Sequence, residues 1–297
     1  MKPSLLIRSH FAYFNVRTGM TLFTRNIARH LAKDFDVVVH TSRDIRTEVV
    51  MDDGITYLTG NHSIGGYDVT LGHAPHNRGC DIHLFDSINY RQFYEPDAIN
   101  VFTTNNMMNG YMATGMVLNP IVHIDEHKTR RGQKITLVGM SEPKGLEILI
   151  ALAKANPKLQ FLGVRSGWQA DSQPRPSLPN LEVMEQVDDM RKVWRKTKLL
   201  LVGGYEQYGK AGVEATINGI PTIAFDCLGS RESLGKAGIY VANKSVDDWQ
   251  SALDKTLANY PAHSRLAKQH SKLINTDEQL EQLTALVKAT LNRRIAS

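Results

Sequence analysis

The sequence lacks long apolar runs and is poor in cysteine. In the 297 residues, no apolar run approaches the length of roughly 18 residues that a membrane-spanning helix needs. The opening segment Pro3–Ile7 is too short for the apolar region of a secretory signal, so we expect a cytoplasmic protein. The two cysteines, Cys80 and Cys227, lie far apart, which favours reduced thiols over a disulfide framework.

The composition is that of a globular protein, with 42% hydrophobic and 22% charged residues. The length suffices for two domains with separate cores. A net charge of +5 fits a phosphorylated ligand, an anionic membrane surface or nucleic acid without choosing among them. The densest basic cluster, Lys128–Lys134, is expected in a solvated linker.

Short apolar runs alternate with helical patterns, which predicts βα units and mainly parallel sheets. We expect an amino-terminal domain over residues 1–122 and a second domain over 123–297, joined by the polar stretch His123–Gln133. Beyond residue 245 the chain is predicted to be entirely helical. The predicted strands are Leu5–Arg8, Val37–Thr41, Asp68–Leu71, Ile82–Asp86, Ile99–Thr103, Ile135–Gly139, Leu159–Val164, Leu181–Met184, Leu199–Gly203 and Pro221–Phe225, and the helices before residue 245 are Gly19–Lys33, Leu146–Ala155, Asp188–Thr197 and Lys210–Asn218.

The helix predicted over Gly19–Lys33 is amphipathic. Its basic face carries Arg25, Arg29 and Lys33. Packing of the apolar face on a sheet is the preferred interpretation. Peripheral contact of the basic face with an anionic membrane is the alternative.

The segment Gly203–Ala215 carries the most chemical information. An apolar strand runs into a glycine-containing loop, and a helix begins near Gly209 or Lys210. Amides at a helix N-terminus form an anion site, and glycine lets a phosphate approach. Glu214, just over one turn inside, suits the diol of a ribose, and Glu206 suits the hydroxyls of a transferred sugar. The alternative for Glu214 is a surface carboxylate favoured by the helix dipole.

This segment resembles the Glu-x7-Glu segment of retaining GT-B glycosyltransferases, the bacterial and phage group 1 glycosyl transferases. Glu206 and Glu214 are separated by seven residues, and the following Ala215–Pro221 continues the pattern. Similar matches run in order over about residues 119–245. They are Leu137–Gly139, Lys144–Leu146, Asn180–Val183, Ile223–Asp226 and Gly229–Gly235.

The resemblance implies two Rossmann-like domains that face each other across a cleft. It also implies a helical C-terminal tail, with packing of the terminal helices on the first domain as one alternative. Lys144 would neutralise the leaving diphosphate, Glu214 would hold the ribose and Glu206 the hexose. Amides near Tyr208, Gly209 and Lys210 would bind phosphate. Gly19, within Arg17–Met20, resembles the amino-terminal loop that touches the diphosphate, and a plain helix-start glycine is the alternative.

One position departs from the family pattern. Met140 stands where the family usually has an arginine that partners the lysine on the diphosphate. Ser141 is a replacement phosphate donor, and the replacement cations are Lys210, Arg165 and Arg231. Without one of them, leaving-group stabilisation would depend on Lys144 and the helix amides, and turnover would be modest.

Family members are thought to let the acceptor attack from the face that the diphosphate leaves, with a phosphate oxygen taking the proton. No catalytic base, cofactor or metal is therefore expected. His73 follows a predicted strand and Asp86 ends the predicted strand Ile82–Asp86. Both are proposed to help orient the acceptor, with structural hydrogen bonding as the alternative.

Three further patterns favour structural explanations. The metal-like residue types His73, His76, Cys80 and His83 match no common zinc spacing. Met107, Met108, Met112 and Met116 are at helical spacing, typical of core filler, with an apolar acceptor groove as the alternative. Trp168, Trp194 and Trp249 lack interleaved basic residues and are predicted in the core.

The leading hypothesis is therefore a retaining transferase that uses a nucleotide-diphosphate sugar. Its acceptor is a glycan, a lipid or a small molecule, and a modified DNA base is a minority option. A non-catalytic nucleotide-sugar-binding protein, a GT-B-fold epimerase and a phosphorylase are the alternatives. The sequence predicts neither the donor's base and sugar nor the oligomeric state.

Overall fold

The computed structural model describes residues 2–12, 14–15, 18–44, 46–167 and 170–296. It divides into two compact units. Unit 1 comprises the residues up to Ile121 together with those from Thr276 onward, and unit 2 is Val122–Asn275. Arg17 and Trp168, named above, lie outside the described residues.

Unit 1 is built on an eight-stranded sheet whose strand order is β3-β4-β2-β1-β5-β6-β7-β8. All neighbouring strands are parallel except the antiparallel pair β3 and β4. Its elements are β1 (Ser4–Ser9), α1 (Gly19–Leu31), β2 (Asp36–Thr41), β3 (Glu48–Asp52), β4 (Ile55–Thr59), β5 (Val69–His73), β6 (Ile82–Phe85), β7 (Ile99–Phe102), α2 (Asn105–Tyr111) and β8 (Met116–Val117).

Helix α1 begins with a capping box, in which Thr18 and Thr21 satisfy each other's backbone amides. Its apolar face, including Phe23, Ile27 and Leu31, is buried in the core of unit 1. On its basic face, Arg29 Nε lies 2.7 Å and Arg25 Nη2 3.5 Å from Asp53 Oδ2. The predicted packing of this helix is confirmed, and part of its basic face is paired with an acidic turn.

That turn belongs to the hairpin β3–β4, which the sequence analysis missed. Asp53 and Gly54 both have positive φ, 54° and 75°. An Asp-Gly pair with this geometry is the preferred turn of a two-residue hairpin. The Asp-Gly turn is a local signal in the sequence, but β3 has two exposed apolar residues, Val49 and Met51, and lacks the pattern of a core strand.

Unit 2 contains a six-stranded, fully parallel sheet of order β11-β10-β9-β12-β13-β14. Its elements are α3 (Ile124–His127), β9 (Lys134–Val138), α4 (Leu146–Ala155), β10 (Phe161–Val164), β11 (Leu181–Met184), α5 (Arg191–Trp194), β12 (Thr197–Val202), α6 (Lys210–Ile217), β13 (Thr222–Phe225), α7 (Leu228–Leu234), β14 (Gly238–Val241), α8 (Val246–Ala258) and α9 (Tyr260–Ser271). The helical tail is confirmed, and it ends in α10 (Thr276–Ala296).

Helix α10 is part of unit 1, although the two helices before it belong to unit 2. Leu280, Leu283 and Val287 bury one face of α10 in the core of unit 1. Lys288 Nζ lies 3.0 Å from Asp34 Oδ1 at the surface of the same unit. The last helix is therefore part of the core of unit 1.

Two predictions in unit 2 need correction. The stretch predicted as a solvated linker holds α3 and is bound to α6, because the Thr129 amide donates to Asn218 Oδ1 at 2.7 Å. Arg131, within the basic cluster, donates to Ser264 Oγ at 3.0 Å and lies over the Tyr260 ring. The helix predicted over 188–197 is only one turn, since Thr197 already belongs to β12. Helix α7 and strand β14 were not predicted.

The remaining core predictions hold in part. Trp194 and Trp249 are fully buried, as predicted. Met107 is buried on α2, but the helix ends at Tyr111 and Met116 lies in β8, so the helical spacing predicted for the four methionines is wrong. Within the described residues, no helix combines enough length and apolarity to cross a bilayer.

Candidate functional site

Two loops of unit 2 pack against each other through glycines. A Cβ on Gly204 would lie 2.0 Å from the Pro143 carbonyl oxygen, and one on Gly203 would lie 2.8 Å from Gly145 Cα. Gly145 itself has φ +94°, a left-handed conformation that favours glycine. These contacts bring the carboxyl ends of β9 and β12 together.

This packing places Lys144 beside Glu206. Lys144 Nζ lies 2.6 Å from Glu206 Oε1, with 42% of the lysine side chain and 18% of the glutamate side chain exposed. Two groups proposed from sequence, 62 residues apart, therefore share one site. Their carboxylate and ammonium are both within reach of a ligand that would bind at these strand ends.

The N-terminus of α6 follows the same loop. Gly209 is the N-cap residue, no side chain caps the helix in the described structure, and the first turn holds no acidic residue. The Lys210 amide donates to the Tyr208 carbonyl at 2.7 Å, and the Gly212 amide donates to the Gly209 carbonyl at 2.9 Å. The positive end of the dipole of this eight-residue helix is therefore the feature that suits an anion. Burial, aided by the charge of Glu232, raises the pKa of the nearby Tyr208 phenol, which therefore stays a hydrogen-bond donor.

Glu214 lies one turn further into α6 and is only 5% exposed. Its Oε1 is 3.5 Å from Lys210 Nζ, and its Oε2 is 3.6 Å from His127 Nδ1. A carboxylate so deeply buried needs such partners. The alternative of a surface carboxylate is therefore wrong for Glu214.

His127 is a site residue that the sequence analysis missed. Burial lowers the pKa of His127, which opposes the raising effect of Glu214, so the imidazole is largely neutral at pH 7. Its carbonyl oxygen accepts a 3.0 Å hydrogen bond from Asn218 Nδ2, which fixes α3 against α6. The local signal for it is a histidine in a polar stretch, a pattern that is typical of a linker.

The position of the missing family arginine is a core position here. Met140 is fully buried, and its thioether covers Gly163, where a Cβ would lie 2.5 Å from the sulfur. The Met140 amide donates to Gln173 Oε1 at 2.9 Å. A sulfur directed into the core contributes no charge to a bound anion.

The replacement cations have different surroundings. Arg165 is 1% exposed and pairs with Glu185, Nη1 to Oε2 at 2.5 Å. Arg231 is exposed, forms two hydrogen bonds to Asp226 and lies over the Tyr240 ring. The Arg231 hydrogen bond lowers the pKa of Asp226, so this pair stays ionised at pH 7. Of the three cations, Lys210 lies at the N-terminus of α6. Ser141 lies after the carboxyl end of β9, and its side chain makes no cap hydrogen bond to the short helix that follows.

Unit 1 carries a second group of polar residues, at the carboxyl ends of β5 and β6. His73 Nε2 lies 3.1 Å from Asp86 Oδ1, and His73 Nδ1 lies 3.4 Å from Thr24 Oγ1. His73 is fully buried, while 21% of the Asp86 side chain is exposed. Both ring nitrogens thus face protein groups, and of the two residues Asp86 is the one open to a ligand.

The charge balance of this pair favours an ionised Asp86. Burial alone would raise the pKa of Asp86, but the charge of His73, the hydrogen bond to it and the charge of His10 lower it below its ordinary value. The nearby residues of the zinc-like pattern do not converge: His83 Nε2 contacts the Cys80 carbonyl at 3.1 Å. Among the described residues, no group of three or more histidine, cysteine or acidic side chains has a geometry that could hold a metal ion.

Gly19 is the first residue of α1, and its φ is not positive. A Cβ there would meet no described atom within 4 Å. Neither backbone strain nor packing within the described residues therefore requires glycine at this position.

Comparison with known proteins agrees with this architecture. The crystal structure of Anabaena Alr3699/HepE in complex with UDP and glucose is similar over 96% of this chain and 99% of that chain, with a TM-score of 0.74 and 12% identity. WaaG, a glycosyltransferase involved in lipopolysaccharide biosynthesis, gives 0.73 and 13% identity over 95% of this chain and 99% of its own. A glycosyltransferase from Rickettsia africae ESF-5 gives 0.72 and 12% over 98% and 99%.

The chain has the GT-B fold. Within this GT-B chain, residues 127–259 match the family model described as "Glycosyl transferases group 1". The match lies wholly in unit 2 and includes Lys144, Glu206 and Glu214. No curated protein matches the chain.

Proposed function

We propose that this GT-B protein is a retaining glycosyltransferase that moves a hexosyl group from a nucleotide-diphosphate sugar to an acceptor hydroxyl. The observation that carries the proposal is the grouping of Lys144 and Glu206 beside the uncapped N-terminus of α6. A cation and the positive end of a helix dipole suit a diphosphate, and the adjacent carboxylate suits sugar hydroxyls.

Each residue has a role that its surroundings support. Lys144 and the positive N-terminus of α6 stabilise charge on the departing diphosphate, the main electrostatic requirement of the reaction. Glu206 accepts hydrogen bonds from the hexose, and Glu214 accepts them from the ribose. Lys210 lies 3.5 Å from Glu214 and supplies the second positive charge that Met140 does not.

Sugar transfer passes through an oxocarbenium-like transition state, so positioning and charge stabilisation contribute most. The acceptor hydroxyl attacks the anomeric carbon on the face that the diphosphate leaves, and its proton goes to a diphosphate oxygen. Asp86, held by His73, orients the acceptor. No metal or cofactor takes part in the proposed reaction.

The donor test begins with uridine nucleotides. Structures of Anabaena Alr3699/HepE contain UDP or UDP-glucose, which supports a nucleotide-sugar donor for a chain of the same fold. Thermal shifts with UDP-, GDP-, ADP- and dTDP-sugars will identify the donor, because a ligand bound by the folded state raises the apparent stability. Released nucleoside diphosphate, measured with and without acceptor pools of glycan, lipid-linked sugar and modified DNA, then tests transfer.

Retention is tested separately by NMR of the product's anomeric proton. A product with the donor's anomeric configuration supports the proposal, and an inverted product contradicts it. Donor turnover without any acceptor would instead indicate an epimerase or a hydrolase.

A non-catalytic nucleotide-sugar-binding protein is the second candidate. The observation that favours it is the buried Met140 in place of a cation, together with the pairing of Arg165 and Arg231. Such a protein would show heat of binding with the preferred donor and no release of nucleoside diphosphate with any acceptor pool.

A further inference from the structure

A second cluster of polar groups lies in unit 1, beside the pair formed by His73 and Asp86. We call it the His10 cluster; its members are His10, Ser42, Arg43 and His76. They follow β1, β2 and β5, and β1 pairs with both other strands, so their carboxyl ends are adjacent. The strand order reverses at β1, and such a switch point is where open α/β sheets bind ligands.

The members of the His10 cluster contact one another. The rings of His10 and His76 meet edge to face with centroids 4.5 Å apart. Ser42 Oγ lies 3.5 Å from His76 Nδ1, and the Tyr90 hydroxyl lies 3.4 Å from His10 Nε2. The Arg43 amide donates to the His10 carbonyl at 3.2 Å, so all four members lie together at the ends of these strands.

Two ring nitrogens of the cluster have no hydrogen-bond partner in the described structure, and each is a donor in the tautomer that places the proton on it. His10 is only 5% exposed, yet its Nδ1, like Nε2 of His76, is buried without a hydrogen-bond partner in the described structure. Among the described residues, no ion pair engages the exposed Arg43 guanidinium. Buried donors without a partner are costly, and a ligand acceptor would remove that cost.

The neighbouring acidic groups are already engaged. Asp44 is buried and accepts hydrogen bonds from the Ala12 amide at 3.0 Å and from Asn15 Nδ2 at 2.7 Å. Asp86 is paired with His73. The positive charge of Arg43 therefore lacks a counter-ion in the cluster.

Electrostatics within the cluster agree with this geometry. Burial lowers the pKa of His10 to about 4, and the charges of His73 and Arg43 act in the same direction, against Asp86. Burial also lowers the pKa of His76 to about 4, together with the charges of His10, Arg43, Arg8 and His73. Two neutral imidazoles beside an arginine can donate to an anion without a second buried charge.

We propose that the His10 cluster binds a phosphate group of the acceptor, so that the acceptor is a phosphate-bearing sugar. The planar guanidinium of Arg43 matches two phosphate oxygens, and Ser42 and His76 supply further donors. This inference rests on the proposed transferase function, because it identifies the acceptor class. Asp86, the residue directly after β6, would meet the attacking hydroxyl of the same molecule.

The test is local and needs no donor. Inorganic phosphate and glucose 6-phosphate are titrated into the full chain, and the imidazole NMR signals of His10 and His76 are followed. Both ligands should shift these signals. Arg43→Ala should weaken the affinity about tenfold, as expected for loss of one charge-assisted contact. Arg46→Ala is the matched control, because Arg46 is exposed and its guanidinium lies 4.0 Å from Glu48. Its phosphate affinity should equal that of the parent.

Equal phosphate affinity in the parent and Arg43→Ala, or shifts confined to histidines outside the cluster, would overturn the proposal. If no nucleotide sugar binds in the thermal-shift screen, the proposed function is overturned. The phosphate titration does not depend on that result, so the two failures can be told apart. Transfer assays then distinguish the source of the phosphate, with a soluble sugar phosphate in one arm and a lipid diphosphate sugar in vesicles in the other. Acceptance of neutral sugars alone in the transfer assay would also overturn it.

Discussion

Lys144 Nζ lies 2.6 Å from Glu206 Oε1, so each of these two groups is the other's counter-ion. A pair that is this exposed contributes little to stability. A diphosphate brings more negative charge than one carboxylate, and it would draw the lysine away while the glutamate turns to sugar hydroxyls. The contact thus holds Lys144 and Glu206 close together in the absence of a ligand. Because the pair contributes little to stability, exchanging it for contacts with a ligand costs little free energy.

Replacing either member should abolish most of the turnover while leaving the fold intact. Loss of one group that stabilises transition-state charge typically lowers kcat by about 10²–10³. Lys144→Ala and Glu206→Ala should both show such losses in a released-diphosphate assay, with unchanged circular dichroism. The controls are Lys158→Ala and Glu147→Gln, both exposed and outside the site. Full activity in either site variant contradicts the proposed mechanism.

His127 should act through Glu214 on donor affinity. His127→Ala removes the group 3.6 Å from Glu214 Oε2, and the freed carboxylate should hold the ribose less well. Because ribose contacts are made in both ground and transition states, KM for the donor should rise several-fold while kcat changes little. His127→Gln should recover much of the lost donor affinity. His123→Ala is the control, because the His123 side chain makes no cap hydrogen bond. A fall in kcat with unchanged KM would count against this role.

Much of unit 2 was predictable because its signals are local. Helix α4 begins and ends at the predicted residues, Leu146 and Ala155, since its apolar spacing matches a helix that packs one face. The loop before α6 was recognised from glycines and two glutamates. Their predicted proximity to Lys144 follows from parallel strands, whose carboxyl ends meet at one edge.

The parts that were missed depend on contacts remote in sequence. No local pattern indicates that His127 meets Glu214, 87 positions further on, or that α10 completes the core of the first unit. The His10 cluster likewise joins residues that follow three different strands. The hairpin turn at Asp53-Gly54 had a local signal, and exposed apolar residues on β3 obscured it.

The His10 cluster should make stability fall as the pH drops from about 6.5 to 4. The folded-state pKa of His10 and of His76 is about 4, below the ordinary 6.5, so in this window the unfolded chain binds more protons than the folded chain. Stability therefore rises with pH across the window, by an amount on the order of 2–3 kcal/mol for each histidine. Urea unfolding at pH 7 and pH 4.5 should show a smaller difference for the double variant His10→Gln, His76→Gln. An identical difference for variant and parent would exclude this source.

Gly204→Ala should separate the two loops that carry the candidate site. Its Cβ would lie 2.0 Å from the Pro143 carbonyl oxygen, so backbone must move. Overpacking of this kind typically costs about 1–3 kcal/mol, and the movement should also lengthen the contact of Lys144 with Glu206. Both the midpoint of urea unfolding and turnover should fall. Gly65→Ala, where a Cβ meets no described atom within 4 Å, is the control and should change neither.

Gly19→Ala should separate stability from function at the start of α1. Alanine favours a helix over glycine by up to about 1 kcal/mol, and the new methyl group meets no described atom within 4 Å, so the melting temperature should rise slightly. If a diphosphate approaches this backbone, the same methyl group will obstruct it, and we expect a donor KM about tenfold higher, equivalent to the loss of about 1.4 kcal/mol of binding. Thermal melts and donor titrations on one preparation measure both effects. A more stable variant with unchanged donor affinity would identify Gly19 as a plain helix-start residue, because glycine would then serve neither packing nor ligand approach.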